Sequence, residues 1–209
     1  CWILLPYDSA HRGKRIDYTI QPESGTLIDY GISAYHLESD LINLEASGTE
    51  WVGSPILSGG SQTIITNLPN PKDGASISIN ARFRGHSLSG TSSSYHQLKI
   101  HHGSMSGEQV GSTANWTGSG ARLITDNSSD ISLNNGENFF FIRNVTQDDN
   151  SSPYVDYFEI SYGRELLYTD EFDFVSPING QDVRFSFSGD LPESIQLLMI
   201  SDPTNPKLI

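Results

Sequence analysis

Cysteine is almost missing from this 209-residue chain: Cys1 is the only one. A single thiol excludes an internal disulfide and a cysteine-based zinc site. Cys1 could carry a lipid, but the apolar run Trp2–Leu5 behind it reads better as a strand entering a fold. Cations are also scarce, 12 Lys and Arg against 25 Asp and Glu, for a net charge of −13. Affinity for nucleic acid rests on Lys and Arg neutralising phosphates, so a nucleic-acid partner is disfavoured. An anionic membrane surface is disfavoured for the same reason. No stretch approaches the about 20 apolar residues of a membrane helix, so no membrane insertion is expected. There is neither a signal peptide nor a starting Met, and the expectation is a domain excised from something larger. No repeat of a solenoid or propeller is visible, and no window carries a convincing helical period.

The chain does carry short alternating runs of Val, Ile, Thr, Tyr and Phe, separated by Gly, Asn, Asp, Ser and Pro. Strands are expected at Trp2–Tyr7, Arg15–Ile20, Thr63–Leu68, Ala75–Phe83, Gln97–His101, Phe139–Val145, Tyr154–Tyr162, Glu165–Tyr168, Val183–Ser188 and Ile195–Ile200. Ile77, Ile79, Ala81 and Phe83 alternate onto one inward face, as do Leu98 and Ile100. In Phe139–Val145 the inward set is taken as Phe139 and Phe141, and the expected core includes Trp51, Phe141, Tyr157 and Ile160. Tyr35–Leu44 fits a helical spacing and an alternating one, with the balance toward strand. Ser87–Ser94 and Gly103–Gly120 are rich in small residues and read as long loops. Turn signals roughly every 8–15 residues suit an all-β, antiparallel β-sandwich, jelly-roll-like, with a C-terminal β-hairpin extension. The division expected is entry strands over 1–29, the sandwich over 30–165 and the extension over 166–209.

Several groups could carry chemistry. Asp148 and Asp149 form a polar loop and Asp156 opens the strand after it, the hard oxygen ligands that Ca²⁺ favours; the ordinary reading is a solvated turn. Glu38 and Asp40 are two apart and share one face if extended, and two such carboxylates repel unless a cation sits between them. Trp51 and Trp116 would make a sugar-stacking platform or, as is commoner in sandwiches, belong to the core. Among the histidines, His101 and His102 point to opposite faces of a strand, and His96 and His102 lie about 20 Å apart along it. Neither pair can chelate one metal. No Gly-x-Ser-x-Gly elbow supports a serine hydrolase. Sequons at Asn115, Asn127, Asn144 and Asn150 agree with a secreted setting without requiring it.

Three segments together carry a resemblance. The first is Tyr35-His36-Leu37-Glu38-Ser39-Asp40, then Asn43, then Gly48-Thr49-Glu50-Trp51-Val52-Gly53. The second is His96-Gln97-Leu98-Lys99-Ile100 followed by Trp116-Thr117-Gly118. The third is Leu133-Asn134-Asn135-Gly136-Glu137-Asn138, Val155–Tyr162 and Arg164, with Asp202-Pro203-Thr204-Asn205-Pro206 at the end. In order and spacing they resemble the β-domain that precedes the catalytic domain in gingipain-like cysteine peptidases, of the sortase type that serves type IX secretion. Val52 stands where that family usually has an aromatic residue. Leu133–Ile160 is also similar to the end of calcium-binding, carbohydrate-binding jelly rolls.

The resemblance implies a non-catalytic role for this chain, because Cys1 stands in none of the family's motifs and a nucleophilic thiolate needs a base beside it. It implies an accessory β-sandwich of a secreted cysteine peptidase or sortase, extracellular, on the cell surface or periplasmic in a bacterium. Such a domain would position protein substrate or pack on the catalytic domain of the same polypeptide. The alternative is a carbohydrate-binding module with a structural Ca²⁺; an adhesion domain without a ligand of its own is a third reading.

Overall fold

Alternation of apolar and polar residues leaves each strand with one face that must leave water, and two sheets facing each other satisfy that need. A computed structural model describes residues 17–18, 25–90, 93–127, 131–168, 173–190, 198–199 and 207–208. The expected strands Trp2–Tyr7, most of Arg15–Ile20 and most of Ile195–Ile200, with Cys1 and the segment 202–206, lie outside the described residues. In chain order the strands are β1 (Asp17–Tyr18), β2 (Thr26–Ile28), β3 (Tyr30–Glu38), β4 (Ile42–Asn43), β5 (Trp51–Val52), β6 (Ser61–Leu68), β7 (Ile77–Arg84), β8 (Tyr95–His102), β9 (Glu108–Thr117), β10 (Ala121–Asp126), β11 (Gly136–Asn144), β12 (Tyr154–Glu165), β13 (Val183–Phe185), β14 (Leu198–Met199) and β15 (Lys207–Leu208).

Two antiparallel four-stranded sheets form the sandwich, in the orders β10-β7-β12-β3 and β6-β11-β8-β9. The chain changes sheet at β6 to β7, β7 to β8, β9 to β10, β10 to β11 and β11 to β12, a jelly-roll-like path. A hairpin of β4 and β5 lies beside the first sheet, β13 pairs in parallel with β2, and β14 pairs antiparallel with β15. The core between the sheets holds Phe83, Phe140, Phe158, Leu68, Ile79, Leu98, Ile100, Ile142 and Ile160, all fully buried. Burying a side chain of this size stabilises by about 1.5–3 kcal/mol relative to exposure.

Ile77, Ile79, Ala81 and Phe83 face inward as the alternation predicts, and so do Leu98 and Ile100. Four expectations need correction. In β11 the phase is reversed: Phe140 and Ile142 are buried, Phe139 is exposed and Phe141 is half-buried on the outer face. Three consecutive phenylalanines fit either phase, and the cross-strand partners decide it. Trp51 is 42% exposed. Tyr157 is half-buried and outward, because a bulge between Val155 and Tyr157 shifts the register of β12. Within Gly103–Gly120 the structure places β9. Its inward residues are Val110 and Ala114, opposite Ile100 and Leu98. Four positions on β9 thus answer two on β8, and the bulge erases the period of two. Tyr35–Leu44 resolves as the end of β3, then β4, with a 3₁₀ turn beginning at Leu44.

Candidate functional site

The outer face of β10-β7-β12-β3 gathers residues from the first and third sequence segments singled out above, while the second lies on β8 and β9 of the other sheet. One cross-strand row runs Leu123, Arg82, Tyr157, Glu38, and the next runs Thr125, Asn80, Glu159, His36. The ring of His36 lies between carboxylates, with Nδ1 3.3 Å from Glu159 Oε2 and Nε2 3.5 Å from Glu38 Oε2. It also packs on Tyr157, ring centroids 5.5 Å apart. Tyr35 and Leu37, alternating with His36 and Glu38, pack against the core.

Asp156 is the extra residue of the β12 bulge and is buried. Its carboxylate pairs with the Arg82 guanidinium. Burial pushes its pKa up, Arg82 opposes this, and Glu38 and Glu50 push the same way as burial. On its inner side a small crevice is lined by Leu37, Ser39, Gly53, Gln62, Ile64 and Val155. The Gln62 Oε1 atom is buried without a hydrogen-bond partner.

The β4–β5 hairpin brings Glu50 and Trp51 to this face. Asn43 Oδ1 accepts the Gly48 N–H at 3.1 Å, and Gly48 takes a positive φ of 71° that glycine adopts freely. Val52 is fully buried, and the Gly53 N–H donates to the Val155 carbonyl at 2.7 Å. That anchors the hairpin to β12 just before the bulge. Glu50 then reaches Arg84, with Oε1 3.2 Å from Nε. The inward valine fills the place where the family resemblance expected an aromatic residue.

The remaining predicted residues lie elsewhere. Asp40 is exposed beyond the end of β3. Asp148 accepts the N–H of Tyr95 at 2.7 Å and of Asn150 at 3.0 Å, and these bonds hold its carboxyl below the usual range. Asp149 is exposed in the same turn. Asp148, Asp149 and Asp156 are not brought together, and no group of three or more His, Cys, Asp or Glu stands as a metal site among the described residues. Calcium needs 6–8 oxygen ligands, and Asp156 with its guanidinium partner does not offer them. Trp116 is half-buried against the core, its ring 4.8 Å from that of His96.

Behind Trp116 lies a buried polar layer that the sequence did not announce. His96 Nδ1 is 2.7 Å from Ser151 Oγ and Nε2 is 3.1 Å from the Gly118 carbonyl. Asn144 Nδ2 donates to Ser151 Oγ at 3.0 Å, and His86 Nδ1 is 2.6 Å from Ser152 Oγ. His96 has no exposed surface, so this serine–histidine pair is closed to a substrate. Sequence reasoning also passed over Arg82 and Arg84, and it quoted Glu50 and Glu159 only as parts of the resemblance. The first two were readable, since an inward Ala81 and Phe83 turn Arg82 and Arg84 outward.

No family model matches the chain and no curated protein matches it. Among solved structures, dimeric latent PorU from Porphyromonas gingivalis superposes on 93% of this chain with a TM-score of 0.75 and 15% identity. A carbohydrate-binding module of family 36, in complex with calcium and xylotriose, covers 60% of this chain and 98% of its own, at TM-score 0.39 and 16% identity. A family 35 module from Clostridium thermocellum covers 62% of this chain and 90% of its own, at TM-score 0.36 and 18% identity. The match to PorU spans 19% of that protein's length, so what the two chains share is the fold of one part of a longer polypeptide.

Proposed function

We propose that this β-sandwich is a non-catalytic accessory domain of a secreted gingipain-like cysteine peptidase or sortase. In this reading it positions protein substrate or packs against the catalytic domain of the same polypeptide, outside the bacterial cell or in the periplasm. One observation carries the reading. Residues far apart in the chain and quoted for the family resemblance (His36, Glu38, Glu50, Trp51, Tyr157 and Glu159) converge on one outer face. The extent of the superposition on PorU supports it. The test is to express the polypeptide containing this chain with and without residues 30–209. Slower processing of natural substrates by the shortened protein is expected. A shortened protein that folds, reaches the same compartment and works at full rate sinks the reading. The 209-residue chain alone is expected to leave Arg and Lys peptides uncleaved.

The exposed ring of Trp51, beside the Glu50–Arg84 pair, favours a second reading, a carbohydrate-binding module. Flat aromatic rings flanked by hydrogen-bonding groups suit a sugar. Oligosaccharide binding that Trp51→Ala abolishes would move this reading ahead.

A further inference from the structure

The outer face of the other sheet, β6-β11-β8-β9, has a different character. Ile65 and Phe139 face each other in register and are 51% and 36% exposed. Phe141 follows Phe139 on the same face, opposite Thr63 on one side and His101 on the other. The turn after β8 is held near this face by two side chains. Arg143 Nη1 donates to the Met105 carbonyl at 2.9 Å, and His101 Nδ1 is 2.9 Å from the Gly107 carbonyl. Met105, 50% exposed, is carried on that turn.

Lys99 and Arg143 stand directly opposite each other on neighbouring strands. Like charges in that position destabilise a sheet, and a carboxylate between them would relieve the repulsion. None of the ion pairs among the described residues involves either cation. On the first sheet, by contrast, Arg82 pairs with Asp156 and Arg84 with Glu50. Within the outward strand positions of this face Glu137 is the one carboxylate, at the far end opposite Asn67. In a chain where acids outnumber bases 25 to 12, that is a local inversion of charge.

We infer that this face is a protein-docking surface, with Ile65, Phe139, Phe141 and Met105 as its apolar centre. Lys99 and Arg143 receive carboxylates of an acidic partner segment. An apolar centre with aromatic residues and arginine, bordered by polar groups, is the usual anatomy of a protein interface. The chain's net charge of −13 does not forbid this, because repulsion beyond about 8 Å is screened at physiological salt. The inference rests on the accessory-domain reading only for where the partner resides. The assay below reads this face alone, so its failure is distinct from failure of the deletion experiment.

The test uses the 209-residue chain and three synthetic peptides sharing alternating Ile and Phe positions, with Glu, Gln or Lys between them. The Glu peptide is expected to bind about tenfold or more tighter than the Lys peptide at physiological salt, with the gap closing as salt rises further. In the Lys99→Glu, Arg143→Glu chain the preference should invert, and Phe139→Thr should weaken every peptide that binds. If the double reversal does not fold by circular dichroism, Lys99→Gln serves instead, and the ratio between Glu and Lys peptides should fall. Equal binding of the three peptides overturns the inference, as does a preference unmoved by these substitutions. A concentration-dependent dimer dissolved by Phe139→Thr, or neutral-oligosaccharide binding abolished by it, also overturns the inference by giving the face another occupant.

Discussion

The imidazole of His96 is enclosed, with Ser151 on one nitrogen and a backbone carbonyl on the other. Burial pushes its pKa below the ordinary 6.5, the Gly118 carbonyl and Asp148 oppose this, and His86 adds to it. The unfolded chain therefore takes up a proton near pH 6.5 that the folded chain refuses. Stability is full above that pH and falls as the pH drops through it toward the depressed value. The urea midpoint should decline on acidification below about pH 6.5, and His96→Gln should remove part of that slope. Asp156 works in the opposite sense. Its raised pKa means that the folded state holds the proton more tightly than the unfolded state, so stability falls as pH rises past its ordinary 3.8. As the pH rises past about 3.8, the urea midpoint of Asp156→Asn should gain on that of the parent. Arg82→Met strips the buried carboxylate of its partner, and a loss of about 1–3 kcal/mol at neutral pH is expected.

At the scale of an element, β11 tests the fold most directly. Phe140 is fully buried and packs on Phe158 with ring centroids 5.0 Å apart, while Phe141 lies on the outer face. Phe140→Ala should cost about 3–5 kcal/mol in urea unfolding. Phe141→Ala should cost much less. A larger loss at Phe141 than at Phe140 would mean that the strand runs in the other phase. The β4–β5 hairpin makes a comparable point for the site. Its two-residue strands carry little pairing of their own, and it is the Gly53 bond to Val155 and the burial of Val52 that fix Glu50 against Arg84.

For the molecule as a whole, the two outer faces divide the chemistry. One is polar, with most of its charges paired across strands; the other is apolar and locally cationic. A structural calcium ion is tested at this scale, because a ligand held only by the folded state adds RT ln(1 + [L]/Kd) to stability. A melting temperature that is the same in millimolar Ca²⁺ and in chelator would dispose of a structural calcium ion held by Asp148, Asp149 and Asp156, which are not gathered into one cluster among the described residues. A rise of several degrees with Ca²⁺ would require ligands beyond Asp148, Asp149 and Asp156 in their present places.

The sequence by itself determined the fold class and much of the core. Period-two alternation survives wherever a strand buries one face continuously, as in β7 with Ile77, Ile79, Ala81 and Phe83. It failed where burial is decided by neighbours. The run Phe139–Phe141 is apolar on both faces, so only pairing with β6 and β8 chose Phe140 as the inward ring. In β9 the bulge opposite Leu98 and Ile100 replaced alternation with a spacing of four, and a real strand read as a loop. The site divides in the same way. Spacing put Glu38 on one face with Asp40, but β3 ends at Glu38, and it is His36 and Glu38 that share the outer face. Their meeting with Glu159, the burial of Asp156 against Arg82 and the exposure of Trp51 depend on strand order and on one extra residue in β12. Contacts between distant segments are set by closing the two sheets over a shared core, and local pattern carries no record of that closure.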